Sequence, residues 1–405
     1  MHDFWDLIVI GGGAAGLAAA VTSAEYGDRV MILEKNNAIG RKISASGNGR
    51  CNLMNMDKPK YYGDEKFALK VLENCPIEEL IRYWKSHGVF LSEETEGRVY
   101  PCTYQSVTVT DAYKLCLKAS GVEILLQTAV KDIHRDDGLF IVKTEYNHFY
   151  AARVLIACGG IANPRLGGSG NGYKLMTGMG HTLTPLKPAL CPLITDPVSI
   201  SGLSGIRAKC NVQLKNGENM TIHQENGEIL FSETGISGIC IMQMSRFAEP
   251  GNRIVLDFAN RVFPDPKELE LILFERQQKI ADFSPGALLN FMLLPRLSYA
   301  VMKQAGVEMK DRKAGDLTKE EIKKIAWKCR NYSLTVTGNR GFDEAQVTAG
   351  GIDCSEFVPE TMSSRLVAGL QAAGEVLNVD GDCGGYNLMF ATASGILAGK
   401  NGRKD

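Results

Sequence analysis

Hydrophobic and polar positions are arranged in three different ways along the chain. The opening has unbroken apolar runs: Leu7-Ile8-Val9-Ile10, then Gly11-Gly12-Gly13-Ala14-Ala15-Gly16, a small-residue stretch from Leu17 to Tyr26, and Arg29-Val30-Met31-Ile32-Leu33 stopping at Glu34. Short runs without alternation suit parallel strands buried on both faces, and the small-residue stretch closed by Gly27 reads as the helix between them. A βαβ unit therefore opens the chain. Residues 36–60 form a polar loop without periodicity, helices are predicted near 76–87 and 106–119, and strands at 122–126, 139–143 and 152–157. From about 190 to 257 the pattern changes to short alternating strands with polar turns, which predicts an antiparallel sheet or barrel. Residues 266–328 read as helices, with Pro264, Pro266, Pro285 and Pro295 marking breaks. The glycine-rich α/β style returns near 345 and ends in a helix from Asn387 to Gly399.

These patterns predict an α/β protein: a discontinuous Rossmann-like domain of residues 1–188 and 340–405. Into it are inserted an antiparallel barrel-like domain (189–262 and 329–339) and a small helical domain (263–328). The 405 residues suit two or three units at about 150 residues each. Lys plus Arg is 45 against 46 Asp plus Glu, so no basic excess exists to hold phosphate backbones and no nucleic-acid partner is expected. None of the 11 cysteines forms a C-x-x-C pair or a zinc spacing, so reduced core thiols and no metal are expected. No apolar run reaches the ~18 to 20 residues of a membrane span, and the N-terminus is acidic where a signal peptide is basic. The expected location is cytoplasmic.

The excess is glycine, 43 residues, and its placement carries the chemistry. In Gly11-x-Gly13-x-x-Gly16, Gly11 permits a tight turn, Gly13 admits a pyrophosphate to the backbone, and Gly16 lets helix and strand pack closely. The diphosphate would face the N–H groups of the helix start. Glu34, at the end of the second strand, suits both hydroxyls of an adenosine ribose. The C-terminal return favours FAD over NAD. Ala373-Gly374-Glu375 would bring an acid to the ribityl chain, and Gly384-Gly385-Tyr386-Asn387-Leu388 would aim N–H groups at the flavin pyrimidine edge. No second strand–GxGxxG–helix unit follows, so NADH would dock transiently as electron donor.

Five stretches resemble one family over nearly the full length. They are Gly40-Arg41-Lys42-Ile43-Ser44 through Ser46-Gly47-Asn48-Gly49-Arg50-Cys51-Asn52, Cys158-Gly159-Gly160 with Gly168 to Tyr173, Thr234 to Gly238, Ala373 to Gly381, and Gly384 to Leu388. The family is the bacterial FAD-dependent oxidoreductases that include aminoacetone oxidase and the clostridial reductase of 3-dehydro bile acids. The resemblance implies non-covalent FAD held by Ala15, Gly16, Glu34, Lys35, Arg41, Lys42, Glu375, Asn387 and Leu388, with Val130 meeting the adenine through its backbone. Asn48, Met54 and Met389 stand where family members often have Gly, Thr and Gln. Met389 at the flavin end hints at a hydrophobic substrate.

The six histidines are scattered and no nucleophile–base spacing is readable, so the flavin carries the chemistry. For an enone substrate a donor must stabilise the growing enolate. Tyr386 is the first candidate and Arg50 the second, against the alternative that Tyr386 only positions backbone. Three functions are consistent with these residues. They are an NADH-linked ene-reductase of small hydrophobic 3-oxo steroids (bile-acid and steroid lipid breakdown), an oxygen-using oxidase of small amines, and a flavin-dependent nucleic-acid modification factor.

Overall fold

The computed structural model describes residues 4–401 and 403. The chain divides into two compact units, residues 1–188 with 346–405, and residues 189–345. The boundary on the return falls after Ala345 rather than at 340.

In the first unit, five parallel strands run in the spatial order Glu123–Leu125, Val30–Leu33, Phe4–Ile10, His148–Ile156, Leu370–Ala372. This is the Rossmann-like order expected, with antiparallel strands extending one edge. Residues 7–10 and 30–33 are buried throughout, which is why the runs contain no polar alternation. The first helix, Ala14–Glu25, and the last, Tyr386–Lys400, are made almost entirely of small and apolar residues because both are buried on most sides. A Cβ on Gly395 would lie 2.3 Å from the Ala15 carbonyl oxygen, and one on Gly399 would lie 2.6 Å from that of Ala19. Both contacts advance by four residues, so the helices run parallel in direct backbone contact. The loop expected over 36–60 instead contains the short helix Arg41–Ala45 and strand Met54–Asn55, and a helix at Glu65–Asn74 was not foreseen.

In the second unit six antiparallel strands close into a barrel, from Leu193–Thr195 round to Tyr332–Asn339. Barrel and helices share one hydrophobic core, in which Leu214, Ile229 and Leu334 lie with Leu273, Val301 and Ile325. Pro266 and Pro295 occupy the first helical position of Pro266–Lys279 and Pro295–Gln304, where the missing N–H costs nothing, so they begin helices rather than interrupt them. No helix among the described residues is long and apolar enough to cross a membrane.

Candidate functional site: a dinucleotide cleft between two helix starts

Gly11 has φ +111°, and a Cβ there would fall 2.5 Å from the Ala157 carbonyl oxygen, so only glycine makes this turn. A Cβ at Gly16 would lie 2.0 Å from the Gly11 oxygen. Gly13 is different: a Cβ there would meet nothing within 4 Å. Gly13 caps the first helix with no side-chain hydrogen bond, and no acidic residue occupies the first turn. The helix start therefore presents unclaimed N–H groups to open space, which suits a diphosphate.

The residues predicted around this start converge on it. Glu34 is buried, its Oε2 accepting from Gly12 N at 2.7 Å and its Oε1 from Asn36 N and Nδ2 at 2.8 and 2.6 Å. Asn36 Oδ1 in turn accepts from Arg41 at 3.0 Å, and Arg41 also donates to the Arg165 carbonyl. Burial pushes the Lys35 ammonium below the usual lysine range, with Glu34 opposing. Thr128 N donates to the Glu34 carbonyl, bringing the 126–130 segment alongside. Val130 is buried, and its own carbonyl accepts from Asn171 Nδ2 at 3.0 Å. Across the cleft Lys42 Nζ meets Glu375 Oε2 at 2.5 Å, and Glu375 Oε1 accepts from Thr348 N at 3.0 Å. Gly374 backs directly onto Ala15, whose Cβ would be 2.9 Å from a Cβ placed on Gly374.

The last helix starts further out. Ala15 lies two positions past Gly13, and its neighbour Gly395 lies ten past Gly385, the N-cap of the last helix. The second start is thus eight residues beyond the first, about 12 Å at 1.5 Å per residue. That stagger suits an extended molecule with its diphosphate at one helix and its ring at the other. Gly385 has φ +104°, and a Cβ there would be 2.5 Å from the Met54 carbonyl oxygen and 2.7 Å from Asn52 Oδ1. Asn52 Oδ1 is buried with no hydrogen-bond partner among the described residues. An orphaned acceptor at an uncapped helix start fits the polar edge of a flavin, so this donor set accommodates FAD.

Side chains hold this second start in place. Asn55 Nδ2 donates to the Gly384 carbonyl at 2.9 Å and Tyr61 Oη to the Tyr386 carbonyl at 2.9 Å. Asn387 uses its amide on both sides of Gly381, accepting from N at 2.9 Å and donating to O at 2.8 Å, so its side chain orders the 381–385 loop. Leu388 is half-buried against the core. Tyr386 is buried, and burial together with Asp57 and Asp382 raises its phenol above the usual tyrosine range. Arg50 donates to Glu94 Oε1 at 2.7 Å and stacks over Tyr100 and Tyr104 at 4.5 and 4.7 Å. Met389 is fully buried in the core, so it packs the helix and presents no apolar surface to a substrate.

The sequence alone assigns no role to Asn36, Asn55, Tyr61 or Thr348, and Asn52 stands in it only as the end of the Gly40–Asn52 family stretch. Thr348 Oγ1 accepts from Ile161 N and Ala162 N, both at 3.0 Å, tying the Cys158-Gly159-Gly160 turn to Glu375. Thr348, just before Gly350-Gly351, and Asn52, inside a family stretch, stand at visible motifs. None of the eleven cysteines is in a disulfide, Cys102 alone is exposed, and no group of three or more metal-ligating side chains is assembled among the described residues.

The model of the HI0933-like protein Rossmann domain matches residues 5–401. The chain is 34% identical to the 3-dehydro-bile acid delta(4,6)-reductase of Clostridium scindens, covering 97% of each protein. It is 28% identical to the ribosomal RNA dihydrouridine synthase of Escherichia coli over 96% of each. The fold is similar to that of a 3-ketosteroid delta4-(5alpha)-dehydrogenase from Rhodococcus jostii RHA1 in complex with 4-androstene-3,17-dione. That likeness has TM-score 0.53 and 17% identity, and covers 100% of this chain and 98% of the other. The chain belongs to the HI0933-like Rossmann family and is an FAD-dependent oxidoreductase.

Proposed function

We propose that the protein is an NADH-linked ene-reductase that saturates a conjugated carbon–carbon double bond in a 3-oxo steroid of the dehydro-bile-acid type. The observation that carries this reading is the 34% identity, along 97% of both chains, with a delta(4,6)-reductase of such acids. Bound FAD supplies the hydride, which NADH replenishes.

The chain's own groups then have separate tasks. N–H groups of the first helix hold the diphosphate, and Glu34 takes the adenosine ribose. Lys42 and Glu375 flank the ribityl chain, and Val130 offers backbone to the adenine. N–H groups at Tyr386, Asn387 and Leu388 favour negative charge at the pyrimidine edge. The Tyr386 phenol, kept protonated, can donate to the substrate's 3-oxo oxygen as enolate charge grows there. Water completes the addition by protonating the α-carbon. Arg50 is the weaker donor candidate, because Glu94 already neutralises it and two tyrosine rings fix it.

A second reading rests on the rRNA dihydrouridine synthases, 28% identical over nearly the whole chain. Uridine reduction is also addition of two hydrogens across a C=C conjugated to a carbonyl, so one residue set serves either substrate. The test is anaerobic reduction of the yellow protein by NADH, then mixing with a 3-oxo-4-ene bile acid, unmodified rRNA, aminoacetone or air. Rapid reoxidation by the enone, with product heavier by two hydrogens, is expected. Reoxidation by oxygen alone, with flavin reduction by the amine, rejects the reading; dihydrouridine formation transfers it to RNA. Tyr386→Phe should lower kcat on the enone about a hundredfold at unchanged FAD content. Wild-type turnover should show no Tyr386-linked basic limb below about pH 10, since a raised phenol pKa keeps the donor protonated through that range. Unchanged turnover in Tyr386→Phe rules out the donor role.

A further inference from the structure

The barrel unit has a cavity of its own, about 370 Å³, between strand Arg207–Lys215 and the residues that lead into helix Pro295–Gln304. Its wall is apolar, including Phe258 and Leu297, both buried, and Val262 and Leu294, which stay 60% and 53% exposed. Its remaining lining is cationic: Arg207, Lys209 and Arg261, with no Asp or Glu among the lining residues. The neighbouring carboxylate, Glu228, is opposite Lys209 in the strand pair and accepts from Arg207 at 2.7 Å. Arg207 is thereby compensated. Lys209 and Arg261 make no ion pair within 4 Å among the described residues.

Two features here are those of a ligand surface. Large aliphatic side chains are left in water, each forgoing a favourable transfer to an apolar surrounding, and beside them stand two solvent-exposed cations with no ion pair within 4 Å among the described residues. A single ligand class satisfies both. We propose that this cleft binds an amphipathic carboxylic acid, its apolar body on Val262 and Leu294 and its carboxylate at Lys209 and Arg261. A sugar–phosphate chain would use the cations but leave the apolar wall unused, and the cavity has the volume of a small-molecule site. This site is independent of the redox reading and requires no step at the flavin.

The test is titration calorimetry on the flavin-loaded full chain with decanoate, with decanamide of equal length, and with a single-stranded RNA oligonucleotide. Decanoate should bind at one equivalent with Kd below about 1 mM, and decanamide at least about tenfold more weakly, since it lacks the charge. Lys209→Glu and Arg261→Glu, both at exposed positions, should each weaken decanoate about tenfold at unchanged FAD stoichiometry and Tm. Leu294→Asp should do the same through the apolar wall. The proposal is overturned by absence of saturable decanoate binding, or by equal affinity for acid and amide. It is also overturned if the charge reversals leave affinity unchanged, which would place the acid elsewhere. RNA that binds more tightly than decanoate and displaces it would assign the patch to nucleic acid instead, and overturn it equally.

Discussion

The two helix starts that frame the cleft do the same job with different construction. At the first, the motif residues are local: the turn at Gly11, the close pass at Gly16 and the acid at Glu34 fall within one βαβ unit, with Ala157 the distant backbone that Gly11 passes. At the second, the N-cap glycine is local, but its carbonyl neighbours are held by Asn55 and Tyr61, more than 300 residues earlier in the chain. A phosphate site needs only a bare helix end with space before it, whereas a ring edge needs donors and acceptors fixed at definite positions. The second start accordingly recruits side chains from elsewhere in the unit.

Three substitutions probe this contrast. The largest effect should come from Gly395→Val, which forces the two helices apart at the 2.3 Å contact with the Ala15 carbonyl. A loss of about 3 kcal/mol or more is expected, read as a Tm fall of roughly 6 to 12 °C or as insoluble protein. A normal melting curve would mean that the helices are not in backbone contact. Gly13→Val should separate binding from folding. Its φ of −90° and ψ of −173° suit valine and its Cβ meets no protein atom, so the fold should survive while the diphosphate is blocked. Far-UV circular dichroism should match wild type while the purified protein is colourless; a fully yellow variant contradicts the placement. Tyr61→Phe is the subtlest, removing one hydrogen bond of about 1 kcal/mol. FAD should bind roughly fivefold more weakly, with the visible band shifted, and the first start should be unaffected. An unchanged affinity and spectrum would show that the Tyr386 carbonyl needs no anchor.

How far the sequence reveals the site follows the same division. The apolar runs at 7–10 and 30–33, with the glycines between, predict their own elements, because a strand buried on both faces and a helix touching backbone admit few residue types. Helix Ser106–Ala119 was equally readable, its apolar face recurring at helical spacing. By contrast Asn55 lies in the 36–60 stretch that reads as polar loop without periodicity, and Tyr61 directly after it. Their importance comes from partners at 384–386, and a contact across that separation leaves no local periodicity to detect. His181 reads as one of six scattered histidines with no partner at a readable spacing, and in the fold it is buried between Glu356 at 2.6 Å and Ser364 at 2.9 Å, with Ser364 Oγ also accepting from two backbone N–H groups. Those lone pairs are occupied, so the trio braces the fold and is not a nucleophile.

The parallel seating of the first helix against the last has a consequence for biosynthesis. Residues 15–23, all of them buried in the folded protein, are synthesised about 380 residues before the helix that covers them. At ordinary elongation rates of about 5 to 20 residues per second, that surface waits roughly twenty to seventy-five seconds for Gly395 and Gly399 to arrive. During this interval the nascent chain exposes an alanine-rich face that chaperones can bind, and the cleft between the two helix starts cannot assemble until the last helix has been made.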